Sequence, residues 1–202
     1  MSTAIPQHIL DSLTRVKMPC GMNERAIDQT IEIAGLQVPV YSTSALVLGS
    51  GAAGLRAAVE LKRKNIDVTV ASTSLFGGTS ACSGSDKQTL HTAGTSNRGD
   101  DFVKLAEDIS SGGGMDKDTA YIEAVGSIRA MASLQYLGLP LPQDDLGGTL
   151  RYQTDHDEVG RATSCGPRTS RLMVKALAEE ALRLDIPFYN QTTAVKVLTE
   201  GQ

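Results

Sequence analysis

Apolar and polar positions sort most clearly between residues 44 and 71. Ser44-Ala45-Leu46-Val47-Leu48 is a short apolar run that stops at a glycine. Such a run suits a strand buried on both faces, as parallel sheets require. From Ala52 to Lys64 the period changes. Ala53, Ala57 and Leu61 recur at helical spacing, while Arg56, Glu60, Lys62 and Arg63 fall elsewhere, and Asn65 marks the end. Ile66 to Ala71 alternates and is rich in β-branched residues, which predicts a second strand. Strand, tight turn, helix and strand within about 30 residues make a βαβ unit.

Outside this unit the pattern is looser. Residues 1–43 read as a lead-in, with a helical turn or two at Ile9 to Leu13, a breaker cluster at Met18 to Met22, and a short strand pair between Ile31 and Val40 that turns at Gly35. Residues 73–99 are dominated by Gly, Ser and Thr and predict a long functional loop. Gly99-Asp100-Asp101 offers an N-cap for a helix to Ser111, ended by Gly112-Gly113-Gly114. A second helix is expected from Lys117 to Leu137, before Gly138 and Pro140. Residues 141–166 read as irregular and polar. Thr169 to Leu184 predicts a helix with Leu172 and Ala176 inward and Glu179, Glu180 and Arg183 outward. Ile186 to Tyr189 and Thr193 to Leu198 are strand-like. The expected class is α/β, a Rossmann-like domain with a parallel central sheet over residues 44–202. Glu200-Gly201 reads as a turn whose following strand is missing, so this domain is expected to be incomplete at its C-terminus.

Composition narrows the function classes. The 202 residues carry a formal net charge of -4, which argues against a nucleic-acid partner. A dinucleotide is not excluded, because backbone N–H groups hold phosphates without net positive charge. Cys20, Cys82 and Cys165, and His8, His91 and His156, are scattered without metal-ligand spacing, so no metal is expected. The N-terminus has no secretory pattern and no apolar run reaches membrane-spanning length, which predicts a cytoplasmic protein.

The chemistry concentrates in Gly49-Ser50-Gly51-Ala52-Ala53-Gly54. A lone GxGxxG is a weak signal, but here a strand precedes it and a helix follows. Gly49 permits the tight turn, Gly51 leaves room for a pyrophosphate at the backbone, and Gly54 lets helix and strand pack closely. The first-turn amides, including those of Ala52 and Ala53, then face the phosphates at the positive end of the helix dipole. The bland alternative is a strand–helix turn whose glycines serve packing only. At the end of the second strand, where a carboxylate usually binds a ribose, stand Ala71, Ser72 and Thr73. Neither an acid nor an arginine is there, which counts against NAD in this unit.

Residues 45–61 strongly resemble the start of flavoproteins of the succinate dehydrogenase/fumarate reductase family. The family's second strand ends in Glu or Ser, which Ser72 matches. Gly77-Gly78-Thr79-Ser80-Ala81-Cys82-Ser83-Gly84-Ser85 is similar to its loop over pyrophosphate and flavin. Leu137 to Leu141 resembles its GVPF segment, and Arg161 to Ser170 with the following helix and Thr193 to Leu198 resembles its R-x-T segment, helix and adenine-side strand. The resemblance implies FAD, held by Gly49, Gly51, Ala52, Ala53, Gly54, Ser72, Thr73, Gly78, Thr79, Ser80, Ser83, Gly84, Ser85, Ala194 and Val195. Family members in respiratory complexes attach FAD through a histidine in that loop. No His lies between Gly77 and Ser85, so non-covalent FAD is implied.

The implied function is the FAD-binding part of an oxidoreductase that moves hydride between FAD and a small unsaturated carboxylic acid, with an unknown electron-transfer partner. The family's capping domain, catalytic residues and closing FAD strand come after the point that residue 202 matches, so this chain alone is expected to be inactive. Within it, His156 and Arg161 are candidates for contact with substrate. The alternatives are a solvated loop for His156, a surface ion pair for Arg161, and a packing role for Cys82 instead of a redox one. The competing functions are a catalytically silent dinucleotide-binding fragment and a module that senses NAD or FAD.

Overall fold

A computed structural model describes residues 6–83, 88–94, 99–154 and 157–199. Along the chain run α1 (Gln7–Val16), β1 (Gln29–Ile33), β2 (Leu36–Val40), β3 (Ala45–Leu48), α2 (Ala52–Arg63), β4 (Val68–Ala71) and α3 (Thr79–Cys82). Then come β5 (Leu90–His91), α4 (Phe102–Ser111), α5 (Lys117–Tyr136), β6 (Tyr152–Thr154), β7 (Asp157–Thr163), α6 (Thr169–Arg183) and β8 (Phe188–Tyr189). They fall into two compact units, Met1–Ser83 with Ser170–Gln202, and Gly84–Thr169.

The first unit holds a parallel sheet in the order β3-β4-β8, with Ala45 opposite Val68 and Val70 opposite Phe188. The β4 residues are buried throughout, as a central parallel strand requires. The βαβ expectation holds, but two details are corrected. Among the described residues β3 is paired on one side only and its Leu46 and Leu48 are exposed, whereas the doubly buried strand is β4. The inward stripe of α2 is Leu55, Ala58 and Val59, not Ala53, Ala57 and Leu61. Leu55 and Val59 on this stripe remove more apolar area from water than Ala53 and Ala57 would, and Leu61 is left half-buried.

α6 contributes Val174, Leu177, Ala178 and Ala181 to the same core, joined by Ile186 and Phe188. Glu180, expected outward, is only 7% exposed. It accepts from Arg183 Nε at 2.7 Å and from Arg63 Nη2 at 2.8 Å, which fastens α6 to the end of α2. The Arg183 hydrogen bond, helped by Arg63, outweighs burial and holds this carboxyl below the usual carboxylate range. In the lead-in, β1 and β2 pair antiparallel around Ala34 and Gly35. Both turn residues have positive φ, 52° and 80°, the conformation of a type I′ hairpin turn, and Gly35 adopts it without steric cost.

The second unit corrects the reading of residues 141–166 as irregular. β7 is the centre of an antiparallel sheet, order β5-β7-β6, with Leu90 opposite Thr163 and Tyr152 opposite Ala162. The alternation was hidden because β7 buries polar side chains: Asp157, Arg161 and Thr163 are all at or below 5% exposure. α4 and α5 pack through Ala93, Leu105, Ala106, Ala120 and Ala124, with Ile109 and Met115 alongside. Asp101 and Asp116 cap the two helices by accepting from Lys104 N and Thr119 N.

Arg161 organises this unit. Its Nε and Nη2 donate to Asp100 Oδ1 at 3.0 and 2.6 Å, and its Nη1 donates to Asp108 Oδ2 at 2.7 Å. Asp157 stands 3.7 Å away and accepts from the Arg161 backbone N–H at 2.6 Å. Burial opposes the charge on Asp100, but the Arg161 and Gly94 hydrogen bonds prevail and hold its carboxyl below the usual range. A depressed carboxylate contributes stability that is complete above the unfolded value and is lost as pH falls through the folded one. The urea midpoint is therefore expected to hold from pH 7 to about 5 and to decline below about 4. A midpoint unchanged down to about pH 3 would show that this network carries no net stability.

Candidate functional site

The glycine turn is built as the sequence requires. Gly49 sits at φ +102° and its N–H donates to Ala71 O at 2.8 Å, tying the turn to the end of β4. A β-carbon on Gly54 would lie 2.0 Å from Gly49 O and 3.3 Å from Val47 Cγ1, so α2 starts in backbone contact with the turn. The N-cap residue is Gly51, and no side chain caps the helix. The amides of the first turn, Ala52 and Ala53 among them, thus lie at the positive helix end without a side-chain acceptor.

A second glycine turn meets the first. Gly78 is the N-cap of α3, also without a side-chain cap. A β-carbon on Gly51 would come within 3.2 Å of Ser80 Oγ, so any side chain at position 51 would crowd the space between the two turns. Gly78 and Thr79 are exposed, Ser80 is half-buried, and Ser83 Oγ donates to Thr79 O at 2.9 Å. These residues fit a pyrophosphate: uncapped amides, a helix dipole, and a gap that a β-carbon would fill.

The loop between β4 and α3 is held from beneath. Ser50, 2% exposed, donates to Ser72 Oγ at 3.1 Å and accepts from Phe76 N at 2.9 Å. Ser72 Oγ in turn donates to Ser74 O at 3.1 Å. Phe76 is buried in a left-handed conformation, φ +58°, a strain of order 1–3 kcal/mol that surrounding contacts must hold. Its ring meets Phe188 edge-on at 5.6 Å, and Leu75 N donates to Asn190 Oδ1 at 3.1 Å. Ser50, Phe76 and Asn190 escaped the sequence reading, since no local pattern joins residues 50, 76 and 190.

Other expected site residues fare differently. Ser72 is 8% exposed with its hydroxyl engaged inside the chain, whereas Thr73 beside it is exposed. Thr193 to Leu198 form no strand; Ala194 and Val195 lie exposed, because among the described residues no neighbouring strand pairs with them. Gly84, Ser85 and His156 lie outside the described residues. Arg161 is 3% exposed with its whole fork bound to aspartates, so it is an internal tie, in place of the substrate contact or surface pair considered from sequence. Cys82 is exposed and donates to Gly77 O at 3.5 Å.

The second unit has its own cavity, about 820 Å³, lined by His91, Asp108, Glu123, Met131, Asp157 and Arg161 among others. Three carboxylates against one arginine make its lining unsuited to a carboxylic acid. Burial pushes the His91 imidazole below its ordinary value, which removes a further positive charge near neutral pH. Among the described residues no group of His, Cys, Asp and Glu is arranged for a metal, and no helix is long and apolar enough to cross a membrane.

Comparison with known proteins agrees with the geometry. The family model for the FAD binding domain matches residues 44–202. The 8-methylmenaquinol:fumarate reductase flavoprotein subunit of Wolinella succinogenes is 29% identical over 152 residues, covering 74% of this chain and 25% of that protein. Among solved structures, Mycobacterium smegmatis Sdh1 superposes with a TM-score of 0.66 at 20% identity, over 76% of this chain and 28% of its own. A variant of the quinol fumarate reductase of E. coli gives 0.64 at 18% identity, over 75% and 26%. The chain thus spans about a quarter of the length of the relative and the structures it matches. It belongs to the FAD binding domain family, with FAD as its cofactor and the succinate dehydrogenase and fumarate reductase flavoproteins among its relatives.

Proposed function

We propose that this chain is the FAD-holding part of an oxidoreductase that reduces or forms a carbon–carbon double bond next to a carboxylate. The observation that carries the reading is the meeting of two uncapped glycine turns at Gly51 and Ser80. Bound FAD supplies a hydride donor or acceptor, chemistry that no amino-acid side chain provides. The chain's own part is to hold and orient. Gly49, Gly51 and Gly54 shape the turn, and the amides of Ala52 and Ala53 receive the pyrophosphate. Gly78, Thr79, Ser80 and Ser83 form the wall toward the flavin, with no histidine between Gly77 and Ser85 to bond it covalently. Thr73 is better placed than Ser72 to meet a ribose hydroxyl, because the Ser72 hydroxyl is already engaged. Ala194 and Val195 offer backbone on the adenine side. The substrate is a small unsaturated carboxylic acid, by analogy with the fumarate reductase relative. The location proposed is cytoplasmic, to be checked by cell fractionation.

Two measurements test this. Dithionite-reduced full-length protein, yellow when oxidised, should be reoxidised anaerobically by at least one small enoate. A panel that leaves the flavin reduced would exclude the reaction. Separately, Gly51→Val should abolish FAD retention, because its side chain enters the space beside Ser80; stoichiometric FAD in that variant would overturn the cradle. The sensing-module reading predicts tight NAD binding, and the lack of a carboxylate at positions 71–73 stands against it.

A further inference from the structure

We infer that Ser50 is a positioning residue: its hydroxyl ties the phosphate turn to the loop 72–80 and sets that loop's closure over bound FAD. The inference rests on the reading of residues 49–54 as the FAD cradle and goes beyond it.

Ser50 occupies the second place of the glycine pattern, where the turn itself asks only for a small residue. Alanine or glycine would fit the turn equally well. The hydroxyl faces inward, 2% exposed, and so does not contact a ligand from the open side. It accepts from the Phe76 N–H at 2.9 Å while donating to Ser72 Oγ at 3.1 Å, with Ser74 O a further acceptor at 3.3 Å. One side chain thus fixes both ends of the bend from Ser72 to Phe76. That bend contains the left-handed, buried Phe76, a conformation that persists only when its surroundings hold it. Gly77 and Gly78 follow directly and lead into Ser80, which lies against Gly51. The hydroxyl therefore acts at one remove: it holds Phe76, and Phe76 sets where the second glycine turn begins.

The effect should appear in cofactor binding more than in folding. Without the hydroxyl, the Phe76 N–H loses its partner, and in the FAD-free protein the bend is expected to loosen and turn that N–H toward water. Closing over FAD then buries that N–H without a partner, a penalty met only in the bound state.

The test uses full-length protein stripped of FAD and titrated with it. Ser50→Ala is expected to raise the FAD Kd about tenfold. It should also speed hydrogen exchange at the Phe76 amide in the bound state. Ser72→Ala keeps the bond from Phe76 N and should raise Kd by only about threefold, with a non-additive double variant. A Kd for Ser50→Ala within twofold of wild type overturns the inference, whatever happens to Tm. A purely structural role would lower Tm and leave Kd alone. If Ser50→Ala does not fold, Ser72→Ala decides: weaker binding with intact Tm supports the inference, and unchanged binding overturns it. Failure of the wild-type protein itself to bind FAD would instead sink the cradle.

Discussion

Gly54→Ala is expected to cost at least about 3 kcal/mol of stability, near the upper end for overpacking. Its single methyl would sit 2.0 Å from Gly49 O, and that neighbour is backbone, not the yielding tip of a flexible side chain. The clash can be relieved only by moving α2 away from β3 or by reshaping the turn. The first exposes Leu55, Ala58 and Val59, all fully buried, and the second breaks the bond from Gly49 N to Ala71 O. For a chain of this size the Tm should fall by about 6–12 °C. FAD affinity should drop with it, since the helix start that faces the phosphate is the part displaced. A variant with wild-type Tm would show that the turn relaxes freely, contrary to its close backbone packing. Gly51→Val makes a useful contrast: it should remove FAD while leaving Tm of the FAD-free protein nearly unchanged.

Arg161→Met should be the most damaging change in the second unit. The guanidinium is 3% exposed, and the Asp100 and Asp157 side chains around it are 1% and 5% exposed. Removing the cation leaves two buried carboxylates without a counter-charge, held only by backbone N–H groups such as those of Gly94 and position 161. Breaking a buried pair in this way costs about 3–5 kcal/mol. The Arg161 hydrogen bonds to Asp100 and Asp108 also raise its own already high pKa, so it stays charged at every accessible pH. The acid limb of the stability curve then changes sign. In the wild-type protein, protonating Asp100 loses a favourable contact, so stability declines as pH falls. In Arg161→Met, protonation relieves a buried charge, and stability should rise as pH falls from 7 toward about 5. A parallel pair of pH curves for the two proteins would refute the assignment of Arg161 as the tie.

The parts of the molecule that were legible in sequence share one property: their signal is local. Strand, glycine turn, helix and strand between residues 45 and 71 follow from period changes within a short window, and the structure places them as expected. The helix cap at Asp101 and the hairpin turn at Gly35 are local in the same sense. What escaped depends on distant partners. β7 reads as a polar loop because its inward positions hold Asp157 and Arg161, whose partner Asp100 is 61 residues before Arg161. Glu180 reads as a surface acid because Arg63, 117 residues earlier, is invisible from α6. At the candidate site the glycines announced themselves, but the bonds of the Ser72 hydroxyl to Ser50 and Ser74 did not. A serine at a strand end can face a ligand or the protein, and only its bonds to Ser50 and Ser74 decide which.

The strand order β3-β4-β8 also has a temporal meaning. Ala71, the last residue of β4, pairs with Tyr189 of β8 only once residues 84–169 have been made, and those residues form a unit of their own. During synthesis the inserted unit is contiguous and can collapse as it leaves the ribosome, whereas the first unit must wait with β3, α2 and β4 assembled on one open edge. Pairing across so long a separation carries a loop-closure cost and slows folding. An inserted unit that is already compact shortens the effective loop. Weakening Arg161, far along the chain from the glycine turn, is therefore expected to delay completion of the cofactor-binding sheet in refolding experiments, even in molecules that eventually reach the native state.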